Sequence, residues 1–149
     1  MSPMRFKTIA CAAALLAAAS LTTFTTFADA HEYYLPGMTF VHPWAEPTAP
    51  GAKSAPVYFT VEGVSKADRL VRATTPLAEK VEFRDAGPAS KPPLKTITIQ
   101  PGDTEFTEGK RHLLLTGLKT PLEMGRSYEM TLVFEKGGPV QVQISVGAH

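Results

Sequence analysis

From Met38 to Val146 the sequence alternates between apolar and polar residues in short runs. Val57, Phe59 and Val61 oppose Tyr58, Thr60 and Glu62, and Tyr128, Met130, Leu132 and Phe134 oppose Glu129, Thr131, Val133 and Glu135. Val140, Val142, Ile144 and Val146 oppose Gln141, Gln143 and Ser145. A period of two sends one set of side chains to a core and the other to water, which predicts half-buried strands. Residues 39–44, 69–73, 80–84, 94–99 and 112–118 add further strands, and only 75–79 suits a helical turn. Gly87-Pro88, Pro92-Pro93, Pro101-Gly102 and Gly137-Gly138-Pro139 punctuate them as turns. Seven to nine short strands in one domain predict an all-β, antiparallel Greek-key sandwich.

The first thirty residues do not share this pattern. Arg5 and Lys7 precede an Ala/Leu-rich run from Ile9 to Leu21, and Ala28-Asp29-Ala30 has the form of an A-x-A cleavage signal. This three-part order predicts a secretory signal peptide over 1–30, removed to leave a domain at 31–149. The run is short for a membrane span, and Thr22, Thr23, Thr25 and Thr26 dilute its extension. Cys11 lies at the start of the apolar run, where a lipidation signal would not place it. The expected mature protein is periplasmic and has no membrane span.

Composition changes the picture in two ways. The chain of 149 residues carries a net charge of +1, with 44% apolar and 19% charged residues. Disorder is disfavoured, and no basic surface for nucleic acid is indicated. Cleavage after Ala30 also removes Cys11, the only cysteine, so neither a disulfide nor a thiolate metal site remains. The four histidines, His31, His42, His112 and His149, all stay.

Cleavage would make His31 the first residue, with a free α-amino group. That amine and the imidazole Nδ1 can chelate one metal ion, and a second imidazole supplies a third nitrogen. Such a nitrogen-rich, tetragonal set suits Cu(II), one ion per chain, over soft-ligand Cu(I). Its arrangement is similar to the histidine brace of lytic polysaccharide monooxygenases and CopC-like copper carriers. His42 is the expected partner, because Pro36-Gly37 would turn the terminal segment back towards the strand that carries it. Tyr33 at mature position three rules out the amino-terminal copper motif that requires histidine there. The amine must lose its proton to bind, so affinity should fall with acidity from an ordinary α-amino pKa of about 7.7–8.0. Glu32, Glu46 and Asp85 are alternative oxygen donors, and Tyr33, Tyr34 and Trp44 lie near the site as packing groups or as a binding face.

Several motifs in order resemble the PCuAC family of periplasmic copper-binding domains. They are His42-Pro43-Trp44-Ala45, Ala55-Pro56-Val57-Tyr58-Phe59-Thr60-Val61, Asp68-Arg69-Leu70, Val81-Glu82-Phe83-Arg84, the segment from His112 to Leu118, and Leu132-Val133-Phe134-Glu135. The resemblance spans nearly the whole mature chain and implies a cupredoxin-like β-sandwich. The family's usual Cu(I) site uses His and Met ligands. Here Arg84 stands for the first His, Leu94-Lys95-Thr96 lacks a Met, and Leu114 replaces the Met paired with His112. Met124 and Met130 match neither spacing, and Met130 reads as core. That site is expected to be dead, with the Arg84 charge repelling a metal ion and His112 kept for packing or a hydrogen bond. Part of the family instead carries an amino-terminal His-x10-His brace, which His31 and His42 fit residue by residue.

These readings predict a copper chaperone or homeostasis protein rather than an enzyme, with a copper-accepting periplasmic or membrane protein as its partner. A brace-type monooxygenase is one alternative, although no long insertion offers a substrate platform. A metal-free periplasmic interaction module is the other. His149, the last residue, reads as an exposed tail.

Overall fold

The computed structural model describes residues 32–147. The predicted signal peptide, His31 and His149 lie outside the described residues. The domain is all-β and cupredoxin-like, with ten strands and no helix among the described residues. In chain order they are β1 (Glu32–Leu35), β2 (Met38–Ala45), β3 (Ser54–Val64), β4 (Asp68–Thr74) and β5 (Ala78–Arg84). Then follow β6 (Ile97–Ile99), β7 (Gly102–Phe106), β8 (His112–Leu118), β9 (Ser127–Phe134) and β10 (Gly138–Val146).

The strands run in the order β5-β8-β3-β2-β10-β9-β4-β6, with β1 added to β2 and β7 to β3. The eleven-residue β3 serves both halves of the structure. Its first part pairs with β8 (Ser54↔Thr116 to Val57↔Leu113), and its second with β2 and β7. One long strand thereby turns the corner between two faces that enclose a common core. The alternation read from the sequence is what fills it: Val57, Phe59 and Val61 from β3, Met130, Leu132 and Phe134 from β9, and Val142 and Ile144 from β10 are all buried. Phe40 stacks on Phe59 at 4.7 Å and meets Phe134 edge-on at 6.3 Å, while Phe59 stacks on Phe106 at 4.5 Å.

Four details depart from the sequence reading. Residues 75–79 form no helical turn; Pro76-Leu77 is a tight β4–β5 connection, and Ala78 already begins a strand. The Thr75 hydroxyl donates to the Glu129 carbonyl at 2.6 Å, and so ties that connection to β9. The expected strand over 94–99 survives only as β6 and an isolated Phe83↔Leu94 bridge, since Lys95 and Thr96 leave the ladder. β1 and β7 are additional. The sheet is also not wholly antiparallel, because β10 runs parallel to β2 through Ser145↔Trp44 and Val146↔Ala45.

Asp68 is the one buried charged residue among those described. Its carboxylate accepts backbone N–H bonds from Arg69 at 2.7 Å and from Lys136 and Gly137 at 2.9 Å. The motif Asp68-Arg69-Leu70 thus carries a structural anion, and the anion fixes the β9–β10 turn.

Candidate metal centre

The two segments that matter here are the β1–β2 hairpin and the outer face of β3, β5 and β8. Pro36-Gly37 joins β1 to β2, and Gly37 adopts φ +79°, as the second central residue of a type II turn must. The Gly37 carbonyl accepts the Ser65 N–H at 3.0 Å, which pins the turn to the β3–β4 connection. The chain does fold back on β2 as the sequence suggested. The antiparallel register is Leu35↔Met38, Tyr34↔Thr39, Tyr33↔Phe40 and Glu32↔Val41.

Alternation along β1 separates its two tyrosines. Tyr33 is half-buried, packs edge-on against Phe40 at 6.4 Å, and accepts the Gln143 N–H on its hydroxyl at 2.8 Å. Tyr34 is 76% exposed and donates to the Glu32 carboxylate at 2.6 Å. That bond to an anion raises the Tyr34 phenol pKa, since ionising it would place two negative charges together.

His42 sits where β2 breaks its ladder. Val41 pairs with Thr60 and Trp44 with Tyr58, so β2 spends one residue more than β3 across this stretch. This β-bulge lets Val41 and Trp44, three apart, meet outward-facing partners, while Phe40 and Ala45 stay buried. His42 has φ +50° and is the one non-glycine residue with positive φ among those described. Left-handed backbone at a non-glycine position costs energy, and such residues concentrate where a side chain must be aimed for function. His42 is half-buried at this point.

On the outer face, Trp44 packs against Tyr58 at 4.9 Å between ring centres, and Tyr58 against His112 at 5.8 Å. Burial, followed by the charges of Glu108 and Glu46, raises the Tyr58 phenol pKa. Beside this row lies a cavity of about 530 Å³ lined by Tyr58, Glu82, Arg84, Glu108, His112 and Leu114 among others. The β5–β8 register sets Arg84 directly opposite His112.

Here Arg84 does more than the sequence reading allowed. Its Nη2 donates to the carbonyls of Ala89 at 2.7 Å and Lys91 at 2.8 Å, and Nη1 lies 3.4 Å from Glu82 Oε2. The guanidinium therefore straps the loop after β5 in place, with its charge partly met by Glu82. His112 Nδ1 lies 2.9 Å from the Lys110 carbonyl. A carbonyl only accepts, so Nδ1 carries a proton in this contact. Leu114, on the same face as His112, offers no ligand atom.

Among the oxygen donors named from sequence, Asp85 is committed to Lys91 at 3.0 Å, the Ala86 N–H at 2.9 Å and Arg111 at 3.3 Å. These partners hold its carboxyl at a pKa of about 2. Glu32 holds the Tyr34 hydroxyl, and Glu46 is exposed just beyond β2. No group of three or more His, Cys, Asp or Glu side chains able to hold a metal occurs among the described residues. Met130 is buried core as expected, whereas Met124 is exposed on the β8–β9 connection. The positions of Tyr33 against β10 and of Arg84 against its loop were not foreseen. A strand-start tyrosine and an arginine before a Gly-Pro loop were the only signals available.

Fold and motifs together define a PCuAC-like cupredoxin domain. Residues 38–146 match the family described as "Putative lipoprotein LpqE-like", and the chain belongs to that LpqE-like family. Among solved structures, the copper-bound PCuAC domain from PmoF2 is 28% identical, with 80% of this chain and 99% of that one covered at a TM-score of 0.70. The apo PCuAC domain from PmoF1 is likewise 28% identical, with 80% and 100% covered at a TM-score of 0.71. The solution structure of Cu(I)-bound DR1885 from Deinococcus radiodurans is 24% identical over 80% of this chain and 83% of that one, at a TM-score of 0.62, and shows the shared fold. No curated protein sequence matches the chain.

Proposed function

We propose that the mature protein binds one Cu(II) ion through an amino-terminal histidine brace, and that it carries, stores or buffers copper outside the cytoplasm. The ligands are the α-amine and Nδ1 of His31 and the imidazole of His42. The observation that carries this reading is the hairpin register. Described pairing ends at Glu32↔Val41, and the next residue on either strand is a histidine, His31 before one and His42 after the other. At that point β2 abandons its ladder and His42 takes a left-handed backbone.

Three nitrogens from two residues need no cluster of three side chains, which reconciles the brace with the scarcity of clustered ligands among the described residues. The Arg84–His112 pocket, strapped by a cation and lined by Leu114, lacks the soft donors that Cu(I) favours. The copper-bound relative supports copper as the cargo.

Processing decides whether this ligand set exists. The family description names a lipoprotein, and Cys11 is the only cysteine of this chain to which a lipid could be joined through sulfur. Lipidation there would leave His31 internal and without a free amine. Cleavage after Ala30, as the A-x-A pattern indicates, creates the amine. Mass spectrometry of the exported protein is expected to return His31 as the first residue.

Protein beginning at His31 should bind one equivalent of Cu(II) tightly, with an EPR spectrum of a tetragonal nitrogen-rich site. One extra residue ahead of His31 should abolish that binding, His42→Ala should weaken it strongly, and His112→Ala should leave it nearly unchanged. Retained affinity and an unaltered EPR spectrum in the extended variant would sink the brace. Loss on His112→Ala instead would move the site to the pocket.

A further inference from the structure

We infer that Tyr33 is the positioning residue of the amino-terminal copper site, acting through β10 rather than through the metal. This rests on the brace proposed above and adds to it the group that holds its terminal arm in register.

A four-residue strand ending near a chain terminus ought to fray. β1 is bonded along one side only, to β2, and its outer residues Glu32 and Tyr34 are exposed. From the inner side Tyr33 and Leu35 both pack on the core, and Tyr33, the nearer to the terminus, adds a hydrogen bond. The ring lies against Phe40, and the hydroxyl accepts the Gln143 N–H at 2.8 Å, joining residues 110 positions apart. Gln143 stands opposite Glu129 in the β9–β10 ladder, yet its N–H goes to Tyr33. Without that phenol, a part-buried backbone donor on β10 would lose its partner in the fold, a cost that favours the docked position of β1.

Tyr33 is two residues from the amine that must meet copper. A brace tolerates little displacement, because the three-carbon link between amine and Nδ1 fixes one half of the ligand set while β2 fixes the other. On the proposed reading, the Tyr33–Gln143 bond therefore fixes the end of β1 from which the terminal ligand must reach His42. Tyr34 carries the same ring and hydroxyl but spends them on Glu32 at the surface.

Tyr33→Phe keeps the ring and removes the bond. In protein beginning at His31 we expect Cu(II) affinity about fivefold to tenfold weaker, of the order lost with one part-buried hydrogen bond. We also expect an EPR spectrum resolving more than one copper species and faster amide exchange at Gln143. Tyr34→Phe should leave all three unchanged. A wild-type affinity and a single EPR species for Tyr33→Phe would overturn the inference, as would equal losses in both variants. The variant extended by one residue before His31 separates the two levels. If it still binds copper normally, the brace itself is wrong; if it fails while Tyr33→Phe binds as wild type, only the positioning role is wrong.

Discussion

Single residues in this domain gain their roles from partners that no local pattern reveals. Arg84 stands where the family resemblance expects a metal-ligand histidine, and the sequence marks it only as a charge in that place. Its two bonds to the Ala89 and Lys91 carbonyls, however, depend on how the loop after β5 curls back. The same loop is held by Asp85, whose carboxylate gathers Lys91, the Ala86 N–H and Arg111. With its pKa lowered to about 2, Asp85 favours the folded loop at all pH values above the ordinary carboxylate range. That contribution is lost as the pH falls from about 4 through about 2. A carbon-detected titration of the Asp85 carboxyl should give a midpoint near 2. A midpoint at the ordinary value would mean that the Lys91 and Arg111 contacts do not persist in solution. His42 shows the opposite relation: its identity and spacing were legible, while its positive φ was not, because a bulge exists only between two strands.

Elements were legible in proportion to the apolar side chains they bury. β9 and β10 alternate for eight and nine residues and follow the sequence reading closely. β6, with three residues, is trimmed where Lys95 and Thr96 have nothing to bury, and β7 presents a largely exposed Gly-Asp-Thr-Glu before its one buried residue, Phe106. β1 was readable only as a lead-in with a turn, since two of its four side chains are exposed. The turn is what makes it a strand. A Cβ at Gly37 would stand 3.2 Å from Ser65 Oγ, on a backbone with φ +79°. Gly37→Ala should therefore destabilise the domain by about 1–2 kcal/mol, measurable as a lower urea midpoint. On the proposed reading it should also weaken Cu(II) binding. An unchanged midpoint would show that the Pro36-Gly37 turn bears little of the hairpin's stability.

At the level of the whole molecule, the all-β class and single domain followed from the alternation, whereas the joining of the two halves did not. Nothing periodic distinguishes β3 from its neighbours, yet it alone spans β8, β2 and β7. The core is correspondingly shared, and Phe40 is its meeting point, touching Phe59, Phe134 and Tyr33. Phe40→Ala should cost about 3–5 kcal/mol and leave the denaturant slope unchanged. Loosening confined to the β1–β2 hairpin, with the urea midpoint unaltered, would show the two halves to be energetically separate.

The bond between Tyr33 and Gln143 also has a consequence in time. It joins the first described strand to the last, as do the parallel contacts of β2 with β10. A polypeptide that crosses a membrane amino end first delivers its opening segment to the far side long before β10 arrives. Contacts of such wide sequence separation form late. On the proposed reading, a half-exported chain has both histidines outside but no surface on which to align them. Metal capture is then restricted to molecules whose translocation is finished.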